Sequence, residues 1–136
     1  MTTSQPPIAT LVAIRAAHHA EATPTYDRVV FEFSGPVPLL EIEYVNELVG
    51  DASGLPIAVA GKAILQVRFR SAQAHTDQGQ ATVPSRLALN LPNAKEVVRA
   101  GDFEAVVTYG VGLAHKAETR ILTLANASRV VVDFLA

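Results

Sequence analysis

The sequence predicts an all-β fold: a sandwich of about eight short, mostly antiparallel strands, with one long loop around 71–93. The first observation behind this is alternation. In Tyr26-Asp27-Arg28-Val29-Val30-Phe31-Glu32-Phe33, the side chains of Val29, Phe31 and Phe33 fall on one side and those of Arg28, Val30 and Glu32 on the other. Extended chains place successive side chains on opposite faces, so the run reads as a strand with one buried face. Leu65, Val67 and Phe69 oppose Gln66, Arg68 and Arg70 in the same way. The second observation is composition: these runs are rich in branched and aromatic residues and close on turn residues such as Ser34-Gly35-Pro36. The third is that no helical period of ordinary length competes.

The elements follow in order. Residues 1–7 are polar and proline-rich and are expected to be disordered; residues 8–136 form a single domain. Residues 8–17 give a first strand, with Leu11, Ala13 and Arg15 against Val12, Ile14 and Ala16. Residues 18–25 read as a loop, because Pro24 cannot donate to a ladder. After the strand at 27–33, Pro36-Val37-Pro38 breaks the chain, and 39–46 alternates Leu40, Ile42 and Tyr44 with Glu41, Glu43 and Val45. A partly helical stretch at 46–49 leads to the turn Gly50-Asp51-Ala52-Ser53-Gly54. A short strand around Ile57 and Val59 ends at Gly61, and the strand 62–70 follows. Leu87, Leu89 and Leu91 either form a short strand or tuck the long loop onto the core. Residues 95–99 and 103–109 flank Ala100-Gly101-Asp102 as a hairpin, glycine supplying the turn. Gly110 and Gly112 read as a strand bend or bulge. Residues 119–124 and 128–134 form a last hairpin around Ala125-Asn126-Ala127.

Bulk properties bound the function. With 136 residues, 49% hydrophobic and 18% charged, the chain can bury a real core. A net charge of -2 disfavours nucleic acid, which calls for a basic surface. The absence of cysteine removes disulfides, thiol catalysis and cysteine metal sites. No apolar run approaches the roughly 18 residues of a membrane-spanning helix. Residues 1–7 lack the basic start and apolar block of a signal peptide. Two locations are therefore expected: outside the cytoplasm if an export segment has been removed ahead of this chain, and the cytoplasm otherwise.

Candidate chemistry is sparse. His18 and His19 are adjacent and would face opposite ways in a strand. His75 and Asp77 share one face of an extended segment and could begin a metal site, but such sites need three or four converging ligands. They stand as weak candidates, and no metal or cofactor is expected. The serines sit in turns, not at a strand-to-helix elbow. Asp27, Glu32, Glu41 and Glu43 could supply a glycosidase pair, yet most read as a solvated sheet face. Asp27 beside Arg28 reads either as a structural ion pair or turn cap, or as a polar contact point at the loop end of the sandwich. Asn126-Ala127-Ser128 matches a glycosylation sequon and reads as a hairpin turn.

The string Tyr26-Asp27-Arg28-Val29-Val30-Phe31-Glu32-Phe33-Ser34-Gly35 resembles the signature of the AMIN-like domain of many actinobacterial and other bacterial envelope proteins. Gly101-Asp102-Phe103-Glu104 with Tyr109-Gly110-Val111-Gly112-Leu113 is similar to that family's second signature. Asp51-Ala52-Ser53-Gly54 with Gly61 fits its middle turn, and Leu124 through Arg129-Val130-Val131-Val132-Asp133 its closing hairpin. The resemblance covers the chain from about Ile8 to Phe134. It implies a β-sandwich distantly like the AMIN domains of cell-wall amidases and secretins, which are non-catalytic and bind peptidoglycan or position a partner.

The expectation is therefore a non-enzymatic bacterial envelope module that binds peptidoglycan or another cell-wall glycan. Tyr26, Asp27, Arg28 and Tyr109 are its candidate ligand-binding residues. The alternatives are an assembly domain that pairs with an envelope protein or a second copy through exposed sheet edges, and a metal-assisted hydrolase using His75 and Asp77.

Overall fold

The computed structural model describes residues 7–136, so the disorder expected over 1–7 lies, apart from Pro7, outside the described residues. Twelve strands form where about eight are expected from sequence alternation. They are β1 (Ala9–His19), β2 (Tyr26–Ser34), β3 (Leu39–Val45), β4 (Leu48–Val49), β5 (Pro56–Ile57), β6 (Ala63–Arg70), β7 (Ala72–Gln73), β8 (Arg86–Ala88), β9 (Ala94–Phe103), β10 (Val106–Leu113), β11 (Thr119–Ala125) and β12 (Ser128–Leu135). The short strand expected around Ile57 and Val59 forms as β5, and of the two alternatives for Leu87 to Leu91 a three-residue strand forms at β8; β4 and β7, two residues each, are not singled out by the sequence. Alternation cannot register over so few positions. Among the described residues there is no helix, so none is long and apolar enough to cross a membrane.

Two five-stranded sheets face one another. The first runs β11-β12-β2-β1-β7 and the second β3-β6-β10-β9-β8, while β4 and β5 form a separate small ribbon. Neighbours are antiparallel except β1 and β7. The inner faces supply one core, in which Val29, Leu65, Val107 and Val132 are all buried as alternation predicts. Phe31 and Phe33 from the first sheet meet Phe69 of the second edge-on, each with ring centroids 5.0 Å apart.

Four local readings change. A bulge at Val12 shifts the pairing of β1 with β2, so Leu11 and Ile14 face the core together and the simple alternation over 8–17 breaks. His18 and His19 extend β1 instead of opening a loop. The β9–β10 turn lies at Glu104-Ala105, whose φ values of 51° and 63° are the left-handed pair that a tight hairpin turn of this hand requires. Gly101, expected in that turn, lies inside β9 and gives its missing side chain's space to Asp51. Residues 46–49 hold no helix; Leu48 and Val49 of that stretch form β4.

That last segment begins a flap over 46–61. Leu48 is fully buried against the outer face of the second sheet, with Val98, Ala100, Ile57, Val59 and Ile64 around it. Gly110 and Gly112 make the approach possible: a Cβ on Gly110 would meet Leu48, and one on Gly112 would meet the Ala60 carbonyl. β10 itself runs without a bulge; the register shift beside Gly112 and Leu113 inserts Lys95 on β9, so the bend or bulge expected at Gly110 and Gly112 falls on the facing strand instead. The flap is pinned by Thr108 Oγ1, which donates to Asp51 Oδ2 at 2.9 Å, and by the Asp51 amide on the Ala100 carbonyl.

Candidate binding surface at one end of the first sheet

Tyr26, Asp27 and Arg28 open β2 between the end of β1 and the end of β12. The register sets His19 beside Tyr26, His18 beside Asp27, and Asp133 beside Arg28. Alternation then separates the three: Asp27 points into the sandwich while Tyr26 and Arg28 point out.

Asp27 is 2% exposed and acts as a clasp between the sheets. Its Oδ2 accepts the backbone N–H of Asn93 at 2.7 Å and of Ala94 at 2.8 Å, where β9 begins in the opposite sheet. Its Oδ1 lies 2.7 Å from His18 Nδ1. Asn93 passes the connection on, its Oδ1 accepting the His115 amide at 3.0 Å. These groups line a pocket of about 90 Å³ with His18, Tyr26 and His115 at its wall. Asp27 and Arg28, adjacent in sequence, do not pair with each other.

Arg28 pairs with Asp133 instead. Its Nε donates to Oδ1 at 2.8 Å and its Nη2 to Oδ2 at 3.0 Å. Arg120 on β11 donates to the same Oδ2 from Nε at 3.0 Å and Nη2 at 2.8 Å. Asp133 is fully buried under the two guanidiniums. Burial alone would push its carboxyl up, but hydrogen bonds from Arg28 and Arg120 outweigh that and hold it below the ordinary carboxylate range. The bond to Asp133 likewise raises Arg28, against the lowering effect of burial. Above this ion cluster sits the Tyr26 ring. His19 stacks on it at 4.6 Å and 12°, and Arg28 and Arg120 stand 5.3 and 5.0 Å from its centroid. Imidazole and guanidiniums thus crowd the ring, while the side chains of Arg28 and Arg120 remain 28% and 47% exposed.

Tyr109, expected among the surface residues, is a correction. It is fully buried on the inner face of β10, 5.7 Å from Phe31, and offers no face to a ligand. An aromatic on the inward phase of a four-residue alternation belongs to the core. Among the described residues its hydroxyl has no hydrogen-bond partner, and neither does Nη1 of Arg99. Burial pushes the phenol up to about 12, with Arg99 pulling it partly back. The unfolded chain ionises near pH 10 and the folded one near pH 12, so stability present below pH 10 falls as pH rises through that window, by roughly 3 kcal/mol at most. Tyr109→Phe is expected to change neutral-pH stability by less than about 1 kcal/mol and to flatten this alkaline limb. Urea melts from pH 8 to 12 check both; a variant as alkali-sensitive as the parent would refute the assignment.

His75 and Asp77 are not brought together as ligands. His75 Nδ1 lies 2.7 Å from Asp102 Oδ2, and Asp77 is exposed in a turn. Among the described residues no group of three or more His, Asp or Glu side chains is placed to hold a metal. Asp133, Arg120 and Asn93 are not singled out by alternation or motif. An aspartate closing the apolar run Val130-Val131-Val132 was the available signal for Asp133, since a carboxylate there needs a partner.

Residues 9–136 match the family description of the AMIN-like domain. No curated protein and no solved structure matches the chain. With nearly all of its length covered, the chain belongs to the AMIN-like domain family.

Proposed function

We propose that the chain is a non-catalytic, extracytoplasmic module of the bacterial envelope that binds peptidoglycan or another cell-wall glycan on the outer face of the first sheet. Family membership supports an envelope-associated role without catalysis of its own. One observation carries the location: two partly exposed guanidiniums are held together by a buried carboxylate around the Tyr26 ring. The ring's neighbours leave little room for a sugar to stack, so recognition falls to Arg28 and Arg120. Guanidiniums suit carboxylates, which the peptide part of the wall carries. Asp27, buried in its clasp, serves as a positioning residue for Tyr26 and Arg28.

Purified sacculi test this reading. The protein is expected to sediment with them, and Arg28→Ala to weaken retention about tenfold, the effect of losing one charge-assisted contact. Amidation of the wall carboxyls is expected to do the same. Retention no better than that of an unrelated acidic protein would remove the proposal.

A further inference from the structure

The four sheet edges differ. β7 and β8 hold two and three residues, too short to template a strand. β3 follows Pro36 and Pro38 and carries Glu41 and Glu43. β11 is seven residues long, contains neither proline nor lysine, and pairs with β12 without a bulge. Its one charged residue, Arg120, is drawn back onto Asp133, so the usual protections of an edge are weak there.

Two hydrogen bonds fix which groups of β11 are free. The Leu135 amide donates to the Glu118 carbonyl, and the Ala136 amide to the Thr25 carbonyl, both at 2.9 Å. In antiparallel pairs, hydrogen-bonded and open positions alternate. The bonded pairs are therefore Glu118 with Leu135, Arg120 with Asp133, Leu122 with Val131 and Leu124 with Arg129. The N–H and C=O groups of Thr119, Ile121 and Thr123 consequently point away from the sheet. Among the described residues nothing bonds them.

The outer face beside this edge has its own character. Leu122 and Leu124 are 42% and 40% exposed. Across the face, Arg15, Arg28, Arg120 and Arg129 stand against Glu32 and Asp133, with Glu21 beside His19 at the Tyr26 end; four guanidiniums to three carboxylates leave a small local excess of positive charge in a chain of net charge -2. β3 runs along the same flank, because the Tyr44 hydroxyl donates to the Ala117 carbonyl at 2.7 Å and accepts its amide at 3.0 Å. Pairing with a second copy would bring the two arginine-rich faces into one sheet and set the Glu41 and Glu43 edges side by side.

We propose that the free edge of β11 receives an extended acidic segment of a partner protein as a sixth strand of the first sheet. The added strand's outward side chains lie beside Leu124, Leu122 and Arg120 in turn, so an antiparallel partner carries two aliphatic residues and then a carboxylate at every second position.

A labelled synthetic peptide of sequence Thr-Val-Thr-Val-Thr-Asp-Thr, capped at both ends, is the probe. It is expected to bind saturably and to protect the amides of Ile121 and Thr123 from hydrogen exchange, leaving those of Leu122 and Leu124 unchanged. Replacing its aspartate by lysine is expected to weaken binding about tenfold. Thr123→Pro removes an outward N–H that the fold does not use, so the variant folds and loses about tenfold in affinity. It retains binding to sacculi, which separates this inference from the glycan reading. No binding, equal binding of the lysine peptide, or protection spread evenly over 119–124 overturns the proposal. So does a dimer, seen by light scattering without peptide, that Thr123→Pro abolishes, because the edge would then belong to a second copy.

Discussion

Asp27→Ala is expected to destabilise the fold by about 4 kcal/mol, the largest single-residue effect outside the apolar core. The substitution deletes the shared acceptor of the Asn93 and Ala94 amides, bonded at 2.7 and 2.8 Å. Asp27 itself is 2% exposed and Asn93 7%, so the two amides lose their acceptor in a largely buried setting. Two buried N–H groups then carry a desolvation penalty of about 1–3 kcal/mol each, and the His18 contact goes as well. For a domain of this size the melting temperature falls by roughly 15 °C. Asp27→Asn keeps an oxygen where the two amides converge and is expected to recover about half of the loss. Urea titration with an unchanged slope is the measurement. A loss under about 1 kcal/mol for Asp27→Ala would mean that water enters the clasp and that the two sheets do not depend on it.

Asp133→Ala is the second large effect, expected to cost about 3 kcal/mol at neutral pH. It leaves Arg28 and Arg120 facing one another with no carboxylate between them, where four N–H···O contacts had met. Both guanidiniums still reach solvent, which keeps the cost at the low end for a broken buried pair. The pH dependence has a definite sign. The folded carboxyl sits below its ordinary range, so its stabilising contribution is present above the unfolded value and is lost as pH falls through the lower folded one. Parent and variant are therefore expected to converge in stability as pH drops below about 4. A gap that stayed constant from pH 7 to pH 2 would show that the carboxylate's charge contributes nothing.

The long strands were legible because each buries one face against a single core. Val29, Phe31 and Phe33 announce that face, and the register of β2 follows from it. What escaped reading depends on single backbone residues or on contacts between distant segments. One inserted residue at Val12 reverses the phase of the rest of β1. Gly101 looks like a turn residue, yet its bare Cα is needed for Asp51, fifty positions earlier in the chain, and the turn forms at Glu104-Ala105 instead. The candidate surface was half legible. Tyr26, Asp27 and Arg28 were singled out, but the adjacency of Asp27 and Arg28 suggested an ion pair that strand geometry forbids. Their true partners, Asn93 and Asp133, lie 66 and 105 residues away in sequence.

Part of the second sheet is dry on both sides, with the main interior behind it and Leu48 under the flap in front. It is therefore a partition between two chambers, and only the smaller one is closed by residues 46–61. The tip of that cover, at 51–56, is exposed throughout. The chain has no cysteine, so a thiol introduced at Ala52 would be unique, and a fluorophore attached there would sit on the roof of the small chamber without entering the large one.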